Sequence, residues 1–274
     1  MDDSLKKLIA LALAEDLGAG DVTSEATIPS DLISTAVVLA KQDLVLAGLD
    51  VAREVFHQLD PNIQFIALAK DGERILTGTE IAKLSGNTRK LLAGERVALN
   101  LLQHLSGIAT LTAAYVEKVK GLKVEVLDTR KTLPGLRQLE KYAVRMGGGK
   151  NHRLGLYDMV LIKDNHIKAA GGITKAAESA RNKSGQLKME IETKTLDEVR
   201  EALTAKADII MLDNMPIAMM REAVRLIDHH ALVEASGNVT LETIQQIAKT
   251  GADFISAGSL THSAPAADIS MKIK

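Results

Sequence analysis

The sequence predicts an α/β protein: an N-terminal α/β sandwich followed by a partial, open β/α barrel. Three observations carry that prediction. Residues 35–86 hold short β-rich runs separated by turn pairs such as Asp71-Gly72. Residues 88–119 contain no proline and keep helical spacing throughout. From Lys123 onward, six short apolar strands alternate with helical segments, which is the rhythm of parallel βα units.

Taken in order, the chain opens on two lysines, Lys6-Lys7, followed by an apolar run over 8–14 that could pass for a short signal segment. Leu5, Leu8, Ile9, Ala12, Leu13 and Leu17 fall on one helical stripe, so an amphipathic helix is the stronger reading, and with it a cytoplasmic protein. No apolar run approaches a membrane span. β-Strands are predicted over 35–41, 63–69 and 80–84. The helix over 88–119 is expected to bend at Ser106-Gly107. Barrel strands follow over 123–128, 159–164, 188–193, 207–213, 232–236 and 253–257. Thr195-x-x-Glu198 marks a helix start as a capping box, and Pro216 a first helical turn. Ile269, Met271 and Ile273 alternate with polar residues, so the tail reads as a strand returning to the N-terminal β layer. The domains expected are 1–110 and 111–264, with 265–274 rejoining the first.

Composition narrows the chemistry. The 274 residues are 46% hydrophobic and 25% charged, which excludes wholesale disorder. The absence of cysteine excludes disulfides, thiolate metal sites, iron–sulfur clusters and a cysteine nucleophile. With 34 Lys+Arg against 35 Asp+Glu, a polymer-coating or membrane-coating role is unsupported; three Phe, three Tyr and no Trp offer few platforms for stacked bases. Neither a nucleic-acid nor a membrane partner is expected.

Chemistry in a β/α barrel gathers at the C-terminal ends of the strands. All six exits carry a charge or a small polar-glycine turn, which points to one shared site. Arg130, Lys131, Lys163 and the loop pair His152-Arg153 are cations suited to carboxylates or phosphates. Glu192 and Asp213 end neighbouring strands, a pairing suited to a hard divalent cation. Ser236-Gly237-Asn238 and Gly258-Ser259 follow the last two strands, where barrels bind phosphate through backbone N–H groups. Between Thr129 and Lys168 there are nine basic and three acidic residues, a local excess of six positive charges. Such a patch fits a small polyanion, although Arg137, Lys141 and Arg145 recur every four residues and read as a solvated helix face. Gly147-Gly148-Gly149-Lys150 lacks the spacing of a phosphate loop. His57, His104 and the His229-His230 pair read as structural or surface groups, and Met211, Met215, Met219 and Met220 as core.

Three motifs together resemble the quinolinate phosphoribosyltransferases: Asp128-Thr129-Arg130-Lys131-Thr132, then Gly147-Gly148-Gly149-x-Asn151-His152-Arg153, then Leu161-Ile162-Lys163-Asp164-Asn165-His166. The likeness runs in order along the chain, through 94–100, Leu212-Asp213-Asn214, Ser236-Gly237-Asn238 and 260–263; Thr193-Lys194-Thr195 departs from the more acidic stretch expected there. The resemblance implies that quinolinate and phosphoribosyl pyrophosphate combine, with Mg²⁺, to give nicotinate mononucleotide, pyrophosphate and carbon dioxide. It implies that Arg96, Arg130, His152, Arg153 and Lys163 grip quinolinate. Lys131, Glu192, Asp213, Ser236, Gly237, Asn238, Gly258 and Ser259 would hold phosphoribosyl pyrophosphate, with Mg²⁺ on Glu192 and Asp213 directly or through water. Lys131, Lys163, Glu192 and Asp213 are the catalytic candidates. The resemblance further implies that Arg96 reaches a neighbouring subunit's site, so a homodimer, open to further assembly, is expected. Rival readings are a phosphoribosyltransferase for nicotinate, a transport-associated paralogue, a lysine-dependent barrel decarboxylase or aldolase using Lys163, and a non-catalytic phosphate binder.

Overall fold

A computed structural model describes residues 2–274, which divide into two compact units. The first comprises the chain up to Thr112 together with Pro134–Gly148 and Ala264–Lys274. Its helix α1 (Asp3–Leu17) is capped by Asp2, whose carboxylate accepts the Leu5 N–H, and buries Ile9 and Leu13. The short α2 (Val22–Thr27) is capped in the same way by Asp21. Strands β1 (Ile33–Ala40), β3 (Gln64–Ala67) and β5 (Glu80–Asn87) and the C-terminal strand Ile269–Ile273 form an antiparallel sheet, in the order C-terminal strand, β1, β5, β3. The tail pairs with β1 at Val38↔Met271. Two strands too short to register as sequence patterns, β2 (Leu44–Val45) and β4 (Arg74–Ile75), make a second small ladder.

Helix α3 (Leu49–Leu59) begins after Gly48 in a left-handed conformation. Asp71 caps it from across the unit, accepting the Gly48 and Leu49 N–H groups at 3.0 and 3.2 Å. Helix α4 (Thr88–Lys118) follows, and α5 (Arg137–Met146) returns to this unit, where the Tyr142 hydroxyl donates to Asp71 at 2.7 Å and Glu140 meets His104 Nε2 at 2.9 Å. The cut after Thr112 lies beside the expected boundary at 111, while residues 134–148, anticipated as part of the barrel, cluster with the first unit. The reading of the basic helix face is corrected, because Lys141 is only 1% exposed.

Two further expectations for α4 change. By length and composition it could cross a bilayer, one 18-residue window reaching a mean hydropathy of 1.2, but 61% of that window is buried as in a core helix. It also runs unbroken through Ser106-Gly107. The glycine serves close approach instead: a Cβ there would stand 2.0 Å from the Pro265 carbonyl oxygen. We therefore predict that Gly107→Ala, which clashes with backbone rather than with a movable side chain, costs about 3 kcal/mol of stability. A lowered Tm with the C-terminal strand newly open to hydrogen exchange is the expected result.

The second unit, Ala113–Leu133 and Gly149–Ser263, is the barrel. Its strands are β6 (Glu125–Leu127), β7 (Val160–Ile162), β8 (Met189–Thr193), β9 (Ile209–Asp213), β10 (Leu232–Ser236) and β11 (Phe254–Ser256). Each lies within its predicted range. All pair in parallel in the order β6-β11-β10-β9-β8-β7, which leaves β6 and β7 as edges, so the barrel is open. Helices α6 (Asp164–Ala170), α7 (Ile173–Ser184), α8 (Leu196–Thr204), α9 (Ile217–Ile227), α10 (Ile244–Ala248) and α11 (Ser259–His262) complete the unit. Thr195 and Glu198 form the capping box of α8. Pro216 stands one residue before the predicted position, as the N-cap of α9. Ile191, Ile210, Leu212, Ala235 and Ile255 are fully buried in the sheet.

Candidate active site

A cavity of about 460 Å³ opens in the barrel unit. Every site residue inferred from the sequence lines it except Arg96, which is exposed on α4 with its guanidinium 2.8 Å from Glu95. The six strand exits build three walls.

The cationic wall depends on Asp128, fully buried at the end of β6. Its carboxylate accepts the His152 N–H at 2.9 Å and the Asn151 side-chain amide, which pins the 150–153 loop beside the strand. Arg130, Lys131, His152 and Arg153 then reach one cavity. Arg153 donates through Nη1 to the Met159 carbonyl at 3.1 Å, and its buried Nε has no hydrogen-bond partner. Burial first, and then the neighbouring Arg130 charge, hold its pKa below the usual arginine value, so this guanidinium awaits an anion. Lys163 sits at the N-cap of α6, with its ammonium 3.7 Å from Glu192. His166 Nδ1 accepts the Lys163 N–H at 2.9 Å, which gives the last residue of that motif a structural task.

The carboxylate wall is Glu192 from β8 and Asp213 from β9. Burial pushes the Glu192 carboxyl up; Lys163 opposes that shift and Asp213 adds to it. Asp213 is held by a chain of amides: Asn238 Nδ2 donates to Asn214 Oδ1 at 3.0 Å, and Asn214 Nδ2 donates to Asp213 Oδ1 at 3.1 Å. Gly237, at φ 95°, allows this chain, because a Cβ would stand 2.2 Å from Asn214 Oδ1. The third wall, 236–238 with Gly258 and Ser259, presents turns and the start of α11. Thr261 Oγ1 donates to the Lys131 carbonyl at 2.7 Å and ties this wall to the first. Residues 193–195 do not line the cavity: Thr193 is buried and donates to the Met211 carbonyl, Lys194 pairs with Asp164 at 2.9 Å, and Thr195 caps α8.

Beneath these walls His152 meets two carboxylates, Glu190 and Glu234, to which the sequence reading gave no role. His152 Nε2 stands 3.1 Å from Glu190 Oε2 and 3.4 Å from Glu234 Oε2. Three such groups within 4.8 Å of one another suggest a metal. The imidazole argues otherwise. Its Nδ1 accepts the Arg153 N–H at 2.7 Å, so in the neutral ring Nε2 carries the proton and has no lone pair for a cation. The signal for the cluster was present: Glu190 precedes Glu192, and Glu234 precedes Ser236, by the two residues that keep a side chain on one face of a strand.

Comparison with known proteins agrees along almost the whole chain. The profile of the quinolinate phosphoribosyl transferase N-terminal domain matches residues 21–106, and that of the C-terminal domain residues 108–272. A nicotinate-nucleotide pyrophosphorylase [carboxylating], chloroplastic, of Arabidopsis thaliana is 47% identical over 289 residues, covering 98% of this chain and 82% of the relative. A probable nicotinate-nucleotide pyrophosphorylase [carboxylating] of Bacillus subtilis is 46% identical over 270 residues, covering 98% and 93%. The solved nicotinate-nucleotide pyrophosphorylase of Francisella tularensis superposes with a TM-score of 0.96 at 43% identity, covering 99% and 96%.

Proposed function

The chain belongs to the quinolinate phosphoribosyltransferase family, and from that premise we propose how its cavity carries out the reaction. The activity is nicotinate-nucleotide pyrophosphorylase (carboxylating), a pentosyl transfer in NAD biosynthesis. The pyridine nitrogen of quinolinate attacks the ribose carbon of phosphoribosyl pyrophosphate, pyrophosphate leaves, and the carboxylate beside the new cationic nitrogen departs as carbon dioxide.

Arg130, Arg153 and Lys163 hold the two carboxylates of quinolinate, joined by Arg96 of a second subunit. His152 takes part from below, through its backbone link to Arg153. Lys131 and the turns at 236–238 and 258–259 hold the phosphates of phosphoribosyl pyrophosphate. No general base is required, because the nucleophile is a ring nitrogen. Glu192 and Asp213 fit Mg²⁺: they are two like-charged oxygen donors on one cavity wall, and the charge of Asp213 raises the Glu192 carboxyl, a repulsion that a hard cation relieves. When bound there, Mg²⁺ supplies charge neutralisation to the leaving pyrophosphate. Glu192 also faces the ribose, which becomes cationic as the bond to pyrophosphate lengthens.

One observation carries this reading: Arg130, Arg153 and Lys163 converge on the cavity that also holds the Glu192–Asp213 pair. A single carboxylate would leave the half-buried Arg153 poorly matched, which favours quinolinate over nicotinate. Purified protein given each acid with phosphoribosyl pyrophosphate and Mg²⁺ should consume quinolinate and leave nicotinate essentially untouched. Preference for nicotinate, without carbon dioxide release, would overturn the assignment.

The homodimer has its own test. Arg96→Ala and Lys163→Ala proteins should each be nearly inactive, and mixing them should restore about a quarter of wild-type activity by statistical exchange of subunits. Activity that stays at the parental level after exchange would place Arg96 outside a shared site.

A further inference from the structure

Glu190 and Glu234 stand one layer below the substrate cavity, on β8 and β10, and are 0% and 1% exposed. Two ionised carboxylates face to face in a barrel interior are strongly unfavourable. The nearest donor to Glu190 is His152 Nε2, 3.1 Å from Oε2, while Oε1 of Glu190 and Oε1 of Glu234 have no hydrogen-bond partner. The groups facing Glu234 are Glu190 from β8, the His152 imidazole from the 150–153 loop and Ser256 from β11. His152 offers these two acids a single Nε2–H. A proton kept on Glu234 gives the two acids a second donor. Of the two, Glu234 lines the substrate cavity.

The reaction leaves one proton to be accounted for. When the carboxylate next to the ribosylated nitrogen departs, its electron pair stays on the ring carbon, and a proton must replace it. Resting on the function proposed for this cavity, we propose that Glu234 is the general acid that protonates this carbon. The bond between ring carbon and carboxylate breaks, carbon dioxide leaves, and the ring carbon takes the proton of the Glu234 carboxyl to form a C–H bond. Glu234 is left as a carboxylate and regains its proton from solvent before the next turnover. Other donors in the cavity suit the task less well. Arginine does not give up a proton, and both nitrogens of His152 are engaged below the cavity. Lys163 is half-exposed beside Glu192.

The electrostatics support this geometry. Burial, with the charge of Glu190 behind it, pushes the Glu234 carboxyl up to about 8. The buried pair therefore favours keeping a proton, and Glu234 is the member that lines the cavity to deliver it. The acid form is fully present below its raised pKa and is lost as pH rises through it.

The test is a rapid-quench single turnover with quinolinate, phosphoribosyl pyrophosphate and Mg²⁺, following pyrophosphate, quinolinate mononucleotide and nicotinate mononucleotide. Glu234→Gln keeps a hydrogen-bond donor for Glu190. It should release pyrophosphate within a few-fold of wild type, accumulate quinolinate mononucleotide, and form nicotinate mononucleotide on the order of 10²-fold more slowly. The wild-type decarboxylation step should slow above pH 8 and the residual step in the variant should not. Nicotinate mononucleotide that keeps pace with pyrophosphate in Glu234→Gln would overturn the proposal. If the variant releases no pyrophosphate, premade quinolinate mononucleotide decides: conversion by wild type but not by a folded variant supports the role, and equal conversion by both overturns it. Wild-type protein that makes no nicotinate mononucleotide from the two substrates would instead count against the reading of the whole site.

Discussion

Glu192→Gln should fold normally, bind quinolinate, and release pyrophosphate on the order of 10³-fold more slowly than wild type. The substitution keeps the size and shape of the side chain and removes its charge. In the proposed reading Glu192 carries two loads, one toward Mg²⁺ with Asp213 and one toward the cationic ribose of the transition state. Its surroundings suit both: the side chain is 10% exposed, so water screens it weakly, and Lys163 at 3.7 Å opposes the rise that burial and Asp213 impose on its carboxyl. Mn²⁺ binding followed by electron paramagnetic resonance separates the loads. Weakened binding with the Mg²⁺ titration shifted to higher concentration marks the metal role. Unchanged Mn²⁺ affinity with slow chemistry leaves Glu192 at the ribose and Asp213 as the principal ligand. Full activity would remove Glu192 from both.

Arg130→Ala should raise the KM for quinolinate by about 10²-fold and leave that for phosphoribosyl pyrophosphate within a few-fold. The reason lies in the pair rather than in one residue. Arg153 is disfavoured as a cation by burial and by the charge of Arg130, so two like charges are held together in a cavity built for anions. Binding a dicarboxylate relieves that repulsion; removing Arg130 relieves it in advance and deletes one forked contact. Equal losses for both substrates would show that Arg130 supports the cavity without choosing the substrate.

How much of this was legible in the sequence follows from what each signal depends on. The strand exits were readable because β/α units repeat a local pattern, so Arg130, Lys163, Glu192 and Asp213 could be identified without knowing how the barrel closes. The Thr195–Glu198 capping box was readable because it spans one turn. Features that depend on distant pairing were not. Residues 134–148 carry a helical pattern that says nothing of which unit they join; the Tyr142–Asp71 hydrogen bond, 71 residues apart in sequence, shows their attachment. Lys141 follows a surface-like four-residue spacing with two arginines and is nonetheless buried. Gly107 resembled a helix bend, although the Pro265 carbonyl explains it. Glu190 and Glu234 were hidden by their neighbours: Glu192 and Ser236 are the exits, and the layer beneath them appears only once alternate strands are placed side by side.

The most direct test of the central claim is a product balance with quinolinate labelled by ¹³C in the carboxylate adjacent to nitrogen. Folded protein with phosphoribosyl pyrophosphate and Mg²⁺ should yield nicotinate mononucleotide, pyrophosphate and labelled carbon dioxide in equal amounts. No nucleotide product, or a ribosylated product that retains the label at completion, would contradict the account.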